Sequence, residues 1–191
     1  MKPTIAVLTS TTRPTRAGLV FAEWFMDQVK DSPDATFELV DIAEQKLPFM
    51  NEAQSPASGV YEHAHTKAWS EKIARYDGYV IVTAEYNNGY PAPLKNALDM
   101  LYHEWAKKPV AFVGYGTVGA ARAVEHLVNT TAKLHMVPLS GNVVHIIEPW
   151  NAVNEVGKVK PEFVKGNLEN LLKNLVWWAT LLQPARQKTA A

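Results

Sequence analysis

Residues 78–99 read GYVIVTAEYNNGYPAPLKNALD, and this stretch decides the fold. Its first five residues, Gly78 to Val82, form an apolar run that predicts a buried strand. A polar and aromatic loop follows. Pro91 and Pro93 then fit the start of a helix, because proline lacks only an amide hydrogen that the first turn leaves unpaired. In open α/β sheets, ligands bind at the carboxyl ends of the strands, where such loops begin, so residues 83–91 are a candidate ligand-binding site.

On either side of this stretch, apolar runs alternate with helix-like segments along the chain. Strands are predicted at residues 5–8, 37–42, 79–82, 109–113 and within 136–147, the last interrupted by Pro138 and Gly141. Helices are predicted at residues 18–30, 61–75, 120–134 and 161–182, besides the one that starts at Pro91. Because parallel strands need crossover connections, the pattern predicts an α/β fold with a flavodoxin-like, doubly wound, five-stranded parallel sheet. The expected strand order is 2-1-3-4-5, with helices on both faces.

The composition narrows the class of protein. With 191 residues and 47% hydrophobic content, the chain can bury one core, so we expect a single domain over residues 1–191 with a frayed tail at 184–191. Lysine plus arginine and aspartate plus glutamate balance at 19 each, which gives no basic field for nucleic acid. No apolar run suits a signal peptide or a membrane span, so we expect a cytoplasmic protein without a membrane partner. The chain has no cysteine, so any redox role requires a bound cofactor.

The loop after the first predicted strand, residues 10–18, reads STTRPTRAG. Hydroxyls, two guanidiniums and the free amides of a helix start together suit an anionic phosphate. The loop lacks the glycines and the lysine of a Walker motif and the glycine triplet of a dinucleotide fingerprint, which disfavours ATP and Rossmann-type NAD. The alternative is that these side chains only cap the helix and face solvent.

Two further loops follow strands three and four. Residues 85–89 can turn sharply and present backbone groups, while Tyr86 and Tyr90 offer flat surfaces to a planar ring. Residues 114–119 contain three glycines that allow a ligand edge to approach the backbone. The alternatives are tyrosines that pack on the adjacent helix and a glycine-rich tight turn. All three loops follow strands of one parallel sheet, so we expect them at the same edge.

On these motifs the chain resembles the NAD(P)H-dependent FMN reductase family of flavodoxin-like proteins. The family's Gly-Ser-x-Arg loop corresponds to residues 10–13, its Pro-Glu-Tyr-Asn loop to 84–87, and its Leu-Lys-Asn-Ala-x-Asp helix to 94–99. Its glycine-rich loop followed by Arg-Ala corresponds to residues 114–123. Ser10, Thr11 and Ala84 depart from the family's glycine, serine and proline. Thr11 can still donate to a phosphate, whereas the added side chain of Ser10 is expected to crowd the loop.

The resemblance implies that FMN lies across this sheet edge and accepts hydride from NADPH or NADH. The phosphate is expected in the first loop and the isoalloxazine ring between the other two. The cofactor-binding residues implied are Thr11, Arg13 (preferred over the second arginine because it fits the family pattern), Arg16, Ala17, Gly18, Glu85, Tyr86, Asn87, Asn88, Gly114, Gly116, Thr117 and Gly119. No side chain is assigned as a catalytic group, because the chemistry is that of FMN.

The resemblance also implies a small-molecule electron acceptor, such as free flavin, a quinone or an azo compound. It further implies a homodimer or homotetramer formed around the predicted helix at residues 94–104 and its end at residues 102–105. None of the six histidines forms a zinc-protease pair, so no metal is assigned. Two alternatives stay open: an electron carrier of the flavodoxin type, and a non-flavin nucleotide or sugar-phosphate binder. Hydrolase activity is disfavoured because the sequence has no nucleophile elbow.

Overall fold

A computed structural model describes residues 2–189, and it shows one mixed sheet covered by helices on both faces. The strands are β1 (Thr4–Thr9), β2 (Thr36–Val40), β3 (Gly78–Ala84), β4 (Pro109–Gly116), β5 (Val137–Pro138), β6 (Val144–Ile147) and β7 (Val164–Lys165). The α-helices are α1 (Gly18–Val29), α2 (Ile42–Gln45), α3 (Ala64–Ala74), α4 (Ala92–Asp99), α5 (Ala121–Lys133) and α6 (Leu168–Thr189). The strand order is β2-β1-β3-β4-β6-β7, and β5 also pairs with β4. The predicted α/β class and the order 2-1-3-4 are therefore confirmed.

Side-chain alternation along the central strands separates the apolar core into two layers. Val80 and Val82 of β3 face one layer, to which α1 and α6 contribute. Tyr79 and Ile81 face the other, to which α3, α4 and α5 contribute. Every residue of β3 is buried, as expected for a parallel strand with helices on both sides.

The far side of the sheet differs from the predicted fifth strand. β5 pairs with the start of β4 at Pro109, a short 3₁₀ helix follows at Ser140–Asn142, and β6 pairs with the end of β4. The amides of Val137 and Leu139 donate to the carbonyl oxygens of Lys108 and Val110, at 2.9 and 2.8 Å, on either side of Pro138. The 3₁₀ helix that starts at Ser140 then ends the first piece. The added strand β7 is antiparallel to β6. Within residues 2–189, the expectation of five parallel strands is thus corrected to seven strands, one of them antiparallel.

The last helix begins seven residues later than predicted, at Leu168 instead of residue 161. Gly166 has φ +98°, which is incompatible with an α-helix, so the helix cannot extend back through this residue. A Cβ there would lie 2.4 Å from the carbonyl oxygen of Val143. The side chain of Asn167 then accepts a hydrogen bond from the Asn170 amide at 2.9 Å and caps the helix.

The tail expected to fray from Pro184 is helical to Thr189, and residues 190–191 lie outside the described part. Gln183 donates to Asp77 Oδ2 at 3.1 Å, and the Arg186 guanidinium forms an ion pair with the same carboxylate. These contacts with the start of β3 hold the last turns of α6 against the sheet.

Candidate functional site

The carboxyl ends of β1, β3 and β4 meet at one edge of the sheet, because the three strands pair in parallel and in register. The loops that follow them enclose a cavity of about 230 Å³. The segment after β6 closes its remaining side. The cavity is lined by Arg13, Arg16, Ala17, Ala84, Glu85, Tyr86, Tyr115, Gly116, Thr117, Pro149 and Trp150.

Ser10 connects the first loop to the second. Its side chain is fully buried, and its hydroxyl accepts a hydrogen bond from the amide of Ala84 at 3.1 Å. These are two of the three positions at which the sequence departs from the family pattern. The serine side chain is directed at β3, so it joins the two loops, and the expected crowding of the first loop is not observed.

Thr11, Gly18 and Tyr115 form the floor of the first loop. The Thr11 and Tyr115 hydroxyls are 3.4 Å apart, and both side chains are buried. A Cβ on Gly18 would lie 2.5 Å from the Tyr115 hydroxyl and 2.8 Å from Thr11 Oγ1, so a larger residue there would have to displace these buried hydroxyls. Burial raises the pKa of Tyr115 to about 12, and its hydroxyl therefore stays protonated and can donate a hydrogen bond.

Helix α1 starts at this floor and offers its first amides to a ligand. Ala17 occupies the N-cap position, and within residues 2–189 no side chain caps the helix. The first amides of a helix have no partner within the helix, and its macrodipole favours an anion at this end. Ala17 lines the cavity, whereas Gly18 lies beneath it.

The two arginines of the first loop differ in their partners. Arg16 forms an ion pair with buried Asp41, and its Nε is buried without a hydrogen-bond partner in the described part of the chain. Arg13 is exposed, and its guanidinium lies 5.8 Å from the centre of the Tyr86 ring. No carboxylate pairs with Arg13 among residues 2–189. The loop therefore presents one unpaired cation and one buried donor that lacks an acceptor.

The second loop is a tight turn. The backbone groups of Tyr86 and Gly89 exchange hydrogen bonds of 2.8 and 3.0 Å. Between them, Asn87 and Asn88 both have positive φ, 51° and 68°, which is the conformation of a type I′ turn. Both asparagines are exposed and lie outside the cavity lining, while Tyr86 lines it. The asparagines thus have a role in the turn itself.

The glycines of the third loop have different roles. Gly116 lines the cavity, together with Thr117. A Cβ on Gly114 would lie 2.2 Å from the Gly119 carbonyl oxygen. A Cβ on Gly119 would lie 2.4 Å from the Cβ of His145. Gly119 also has φ +61°. Gly114 and Gly119 are therefore required by the packing of the loop, and only Gly116 offers its backbone to the cavity.

The structure brings together seven of the thirteen predicted site residues as cavity lining: Arg13, Arg16, Ala17, Glu85, Tyr86, Gly116 and Thr117. The other six lie beneath or beside the cavity, and their contact with a cofactor stays a prediction: Thr11, Gly18, Asn87, Asn88, Gly114 and Gly119. Four lining residues were not among the predicted cofactor-binding residues, although Ala84 and Tyr115 lie in the predicted loops: Ala84, Tyr115, Pro149 and Trp150. Tyr115 lies between two glycines of the predicted third loop, a position that could have drawn attention, whereas nothing in the sequence marks residues 149–150.

These residues fit the phosphate end of a flavin nucleotide. The open helix start, the unpaired Arg13 and the partnerless Nε of Arg16 are a set of donors without an acceptor in the described residues. Residues 2–189 contain no cluster of histidine and carboxylate side chains that could hold a metal ion. A larger cavity of about 670 Å³, between the ends of α1 and α6, includes none of the three loops. None of the helices in the described part is long and apolar enough to cross a membrane.

Comparison with known proteins gives the same family. The family model described as NADPH-dependent FMN reductase matches residues 3–151. An NAD(P)H-dependent FMN reductase of Schizosaccharomyces pombe is 41% identical over 136 residues, which are 70% of this chain and 68% of that protein. An NADPH:quinone oxidoreductase of Arabidopsis thaliana is 30% identical over 188 residues, covering 94% and 93% of the two chains. Two further relatives match over 62% and 60% of their own length.

The fold has a counterpart among solved structures. The flavoenzyme NAD(P)H:(acceptor) oxidoreductase FerB of Paracoccus denitrificans superposes with a TM-score of 0.74, covering 94% of this chain and 98% of that one at 23% identity. The resemblance read from the three loops is thereby confirmed. From the match over residues 3–151, the chain belongs to the NADPH-dependent FMN reductase family.

Proposed function

We propose that this oxidoreductase transfers hydride from NADPH or NADH, through FMN, to a small acceptor such as a quinone, free flavin or an azo compound. The observation that carries the proposal is the donor set at the start of α1, which has Arg13 unpaired and Arg16 Nε buried without an acceptor. A phosphate would supply the missing acceptor. One relative named for quinone reduction aligns along 93% of its length, which supports quinones among the acceptors.

The side chains bind and orient, and the redox chemistry belongs to the cofactor. Thr11 and Arg13 would hold the phosphate, together with the first amides of α1. The backbone at residues 85–88 and at Gly116 would border the planar ring. When bound, FMN supplies a centre that takes up a hydride and passes on two electrons. For a quinone the balance is NAD(P)H plus quinone plus H⁺ giving NAD(P)⁺ plus hydroquinone, and no protein nucleophile is needed.

The test begins with the visible spectrum of the purified protein, after which NADPH and NADH are added anaerobically in separate cuvettes. We expect a flavin spectrum, either at once or after FMN is added, that bleaches rapidly with at least one of the two donors. A colourless protein that ignores FMN in a titration would overturn the proposal in favour of a non-flavin binder. Bound flavin that neither donor bleaches would indicate an electron carrier. Parallel initial-rate lines would support donor and acceptor using the site in turn.

We further propose a homodimer or homotetramer, located in the cytoplasm. Leu94, Leu98 and Trp105 of the region expected to form the dimer are buried in the chain's own core. The support comes instead from Phe49 and Met50, which are 82% and 47% exposed. The Met50 amide donates to Asn96 Oδ1 at 3.0 Å, so this apolar pair is fixed against α4. Light scattering tests the assembly, and a monomer mass at every concentration would contradict it.

A further inference from the structure

The carboxylate of Glu85 crosses from the second loop to the start of α5. Only 8% of its side chain is exposed. It accepts hydrogen bonds from the amides of Arg122 and Ala123, at 3.1 and 3.3 Å, and from Arg122 Nε at 2.8 Å. Arg122 Nη2 contributes a further contact and completes an ion pair. A single side chain thus binds both the backbone and the guanidinium of the segment that follows the third loop.

Glu85 takes the place of a helix cap. Helix α5 begins at Ala121, and Ala120 at its N-cap position has a left-handed backbone and no capping side chain in the described region. Burial raises the pKa of the Glu85 carboxyl, but the Arg122 hydrogen bond and the amides lower it by more, so the pKa lies below its usual range. The group is therefore ionised at neutral pH, and a carboxylate at a helix start is favoured by the macrodipole.

The pair reaches the wall of the cavity through Glu85. Glu85 lines it, and the Glu85 Cβ lies 3.6 Å from the point that a Cβ on Gly116 would occupy. The backbone of Gly116 is one of the parts of the third loop that face the cavity, and negative charge is expected to grow on this side when the flavin is reduced. While the pair is intact, its two charges largely cancel. Loss of either partner would leave a full charge near that wall.

We propose that Glu85 and Arg122 form a positioning pair that fixes the third loop against the second and keeps the cavity wall electrically neutral toward the reduced cofactor. The inference rests on the proposed function, since the charge is felt by FMN. It assigns a role to the side chain of Glu85, which the sequence pointed to only for its backbone. It also brings in Arg122, which does not line the cavity.

The two charges give the proposal a signed test. Glu85→Gln removes the negative charge and leaves the guanidinium, so it should favour the reduced, more negative cofactor. Arg122→Gln should do the opposite. We expect each variant to change the ratio of affinities for reduced and oxidised FMN by about tenfold, in opposite directions. For a two-electron couple, tenfold is about 30 mV in midpoint potential. The double variant should return close to the wild-type potential.

The experiment measures three quantities for the wild type and each variant. These are the melting temperature of the FMN-free protein, the Kd for oxidised FMN by fluorescence quenching, and the midpoint potential of the FMN complex. Glu38→Gln is the matched control, because Glu38 lies on β2 and forms an exposed ion pair with Arg75. We expect the Glu85→Gln and Arg122→Gln variants to melt below the wild type and below the control.

The outcomes separate the two proposals. Potentials that shift in opposite directions, with the double variant near the wild type, support the pair. Shifts in the same direction, or shifts no larger than that of Glu38→Gln, overturn its electrostatic role. If the wild type binds no FMN, the proposed function fails, and the melting temperatures still decide whether the pair fixes the loops. A Glu85→Gln protein as stable as the control would overturn that part.

Discussion

A buried lysine at the opposite edge of the sheet predicts a specific pH dependence of stability. Lys108 is 5% exposed, and its Nζ donates to the carbonyl oxygens of Ile73 and Ala74 and to the Tyr79 hydroxyl, each at 3.1 Å. Burial, with a smaller contribution from the charge of Arg186, lowers the pKa of this amine from 10.5 to about 7. The free-energy cost of burying an ammonium ion is thus larger than the stabilisation of its charge by the three neutral hydrogen-bond partners.

The sign follows from which state binds more protons. Between pH 7 and 10.5 the unfolded chain keeps the Lys108 proton, whereas the folded protein releases it. The free energy of unfolding must then rise with pH across this window, by at most about 1.4 kcal/mol per pH unit. From pH 7 to pH 9 the gain amounts to about 2 kcal/mol. At pH values well below 7, both states hold the proton and this group adds no further dependence.

Urea unfolding followed by tryptophan fluorescence, at pH 7 and pH 9 and one protein concentration, measures the effect. In Lys108→Met, the free energy of unfolding should rise from pH 7 to pH 9 by about 2 kcal/mol less than in the wild type, whatever the absolute stability of the variant. Lys107→Met is the control, because Lys107 is exposed and adjacent in sequence. Its free energy of unfolding should rise between pH 7 and pH 9 by as much as that of the wild type. Equal pH dependence in the wild type and Lys108→Met would refute the reasoning.

Three further variants test the site and the end of α6. Arg13→Ala should raise the Kd for FMN about 10- to 100-fold, the scale of a hydrogen bond to a charged group, and Tyr86→Ala only severalfold; the reverse order in fluorescence titrations would mean that the cofactor is oriented differently. Gly18→Ala should lower the free energy of unfolding by about 1–3 kcal/mol, because its Cβ would overlap buried hydroxyls, and unchanged urea curves would contradict this. Arg186→Ala, which loses the Asp77 ion pair, should cost about 1–2 kcal/mol and leave the Kd for FMN unchanged; weaker FMN binding would show that the two sheet edges are coupled.

The central fold could be predicted because its signals are local. The apolar runs of β1, β3 and β4 and the paired prolines before α4 each mark an element without reference to the rest of the chain. The predicted fifth strand contains β5 and β6, but its division into two pieces was not predicted. The strand β7 was not predicted either, because it is only two residues long and pairs with β6 across the intervening residues 148–163. Pro184 predicted a helix end, but the contacts of Gln183 and Arg186 with Asp77 stabilise the helix beyond it. That residues 1–191 form one domain stays a prediction.

The site was predicted in its three loops but not in its connections. Residue types and strand ends identified the loops, since parallel strands place their carboxyl ends together. The hydrogen bond from Ala84 to Ser10 and the ion pair of Arg16 with Asp41 join residues 74 and 25 positions apart, and no spacing rule predicts them. Trp150 lies 65% exposed in the cavity wall because β6 is next to β4, which only the sheet order reveals.

Lys107, which precedes the buried Lys108 at the start of β4, is a suitable position for a fluorescent label. The eight-residue strand separates it from the cavity by about 25 Å. Because the chain contains no cysteine, Lys107→Cys would introduce a unique thiol on an exposed position. A fluorophore attached there would stay clear of the cofactor yet lie near enough for resonance energy transfer to a bound flavin. Occupancy and reduction could then be followed in real time on single molecules.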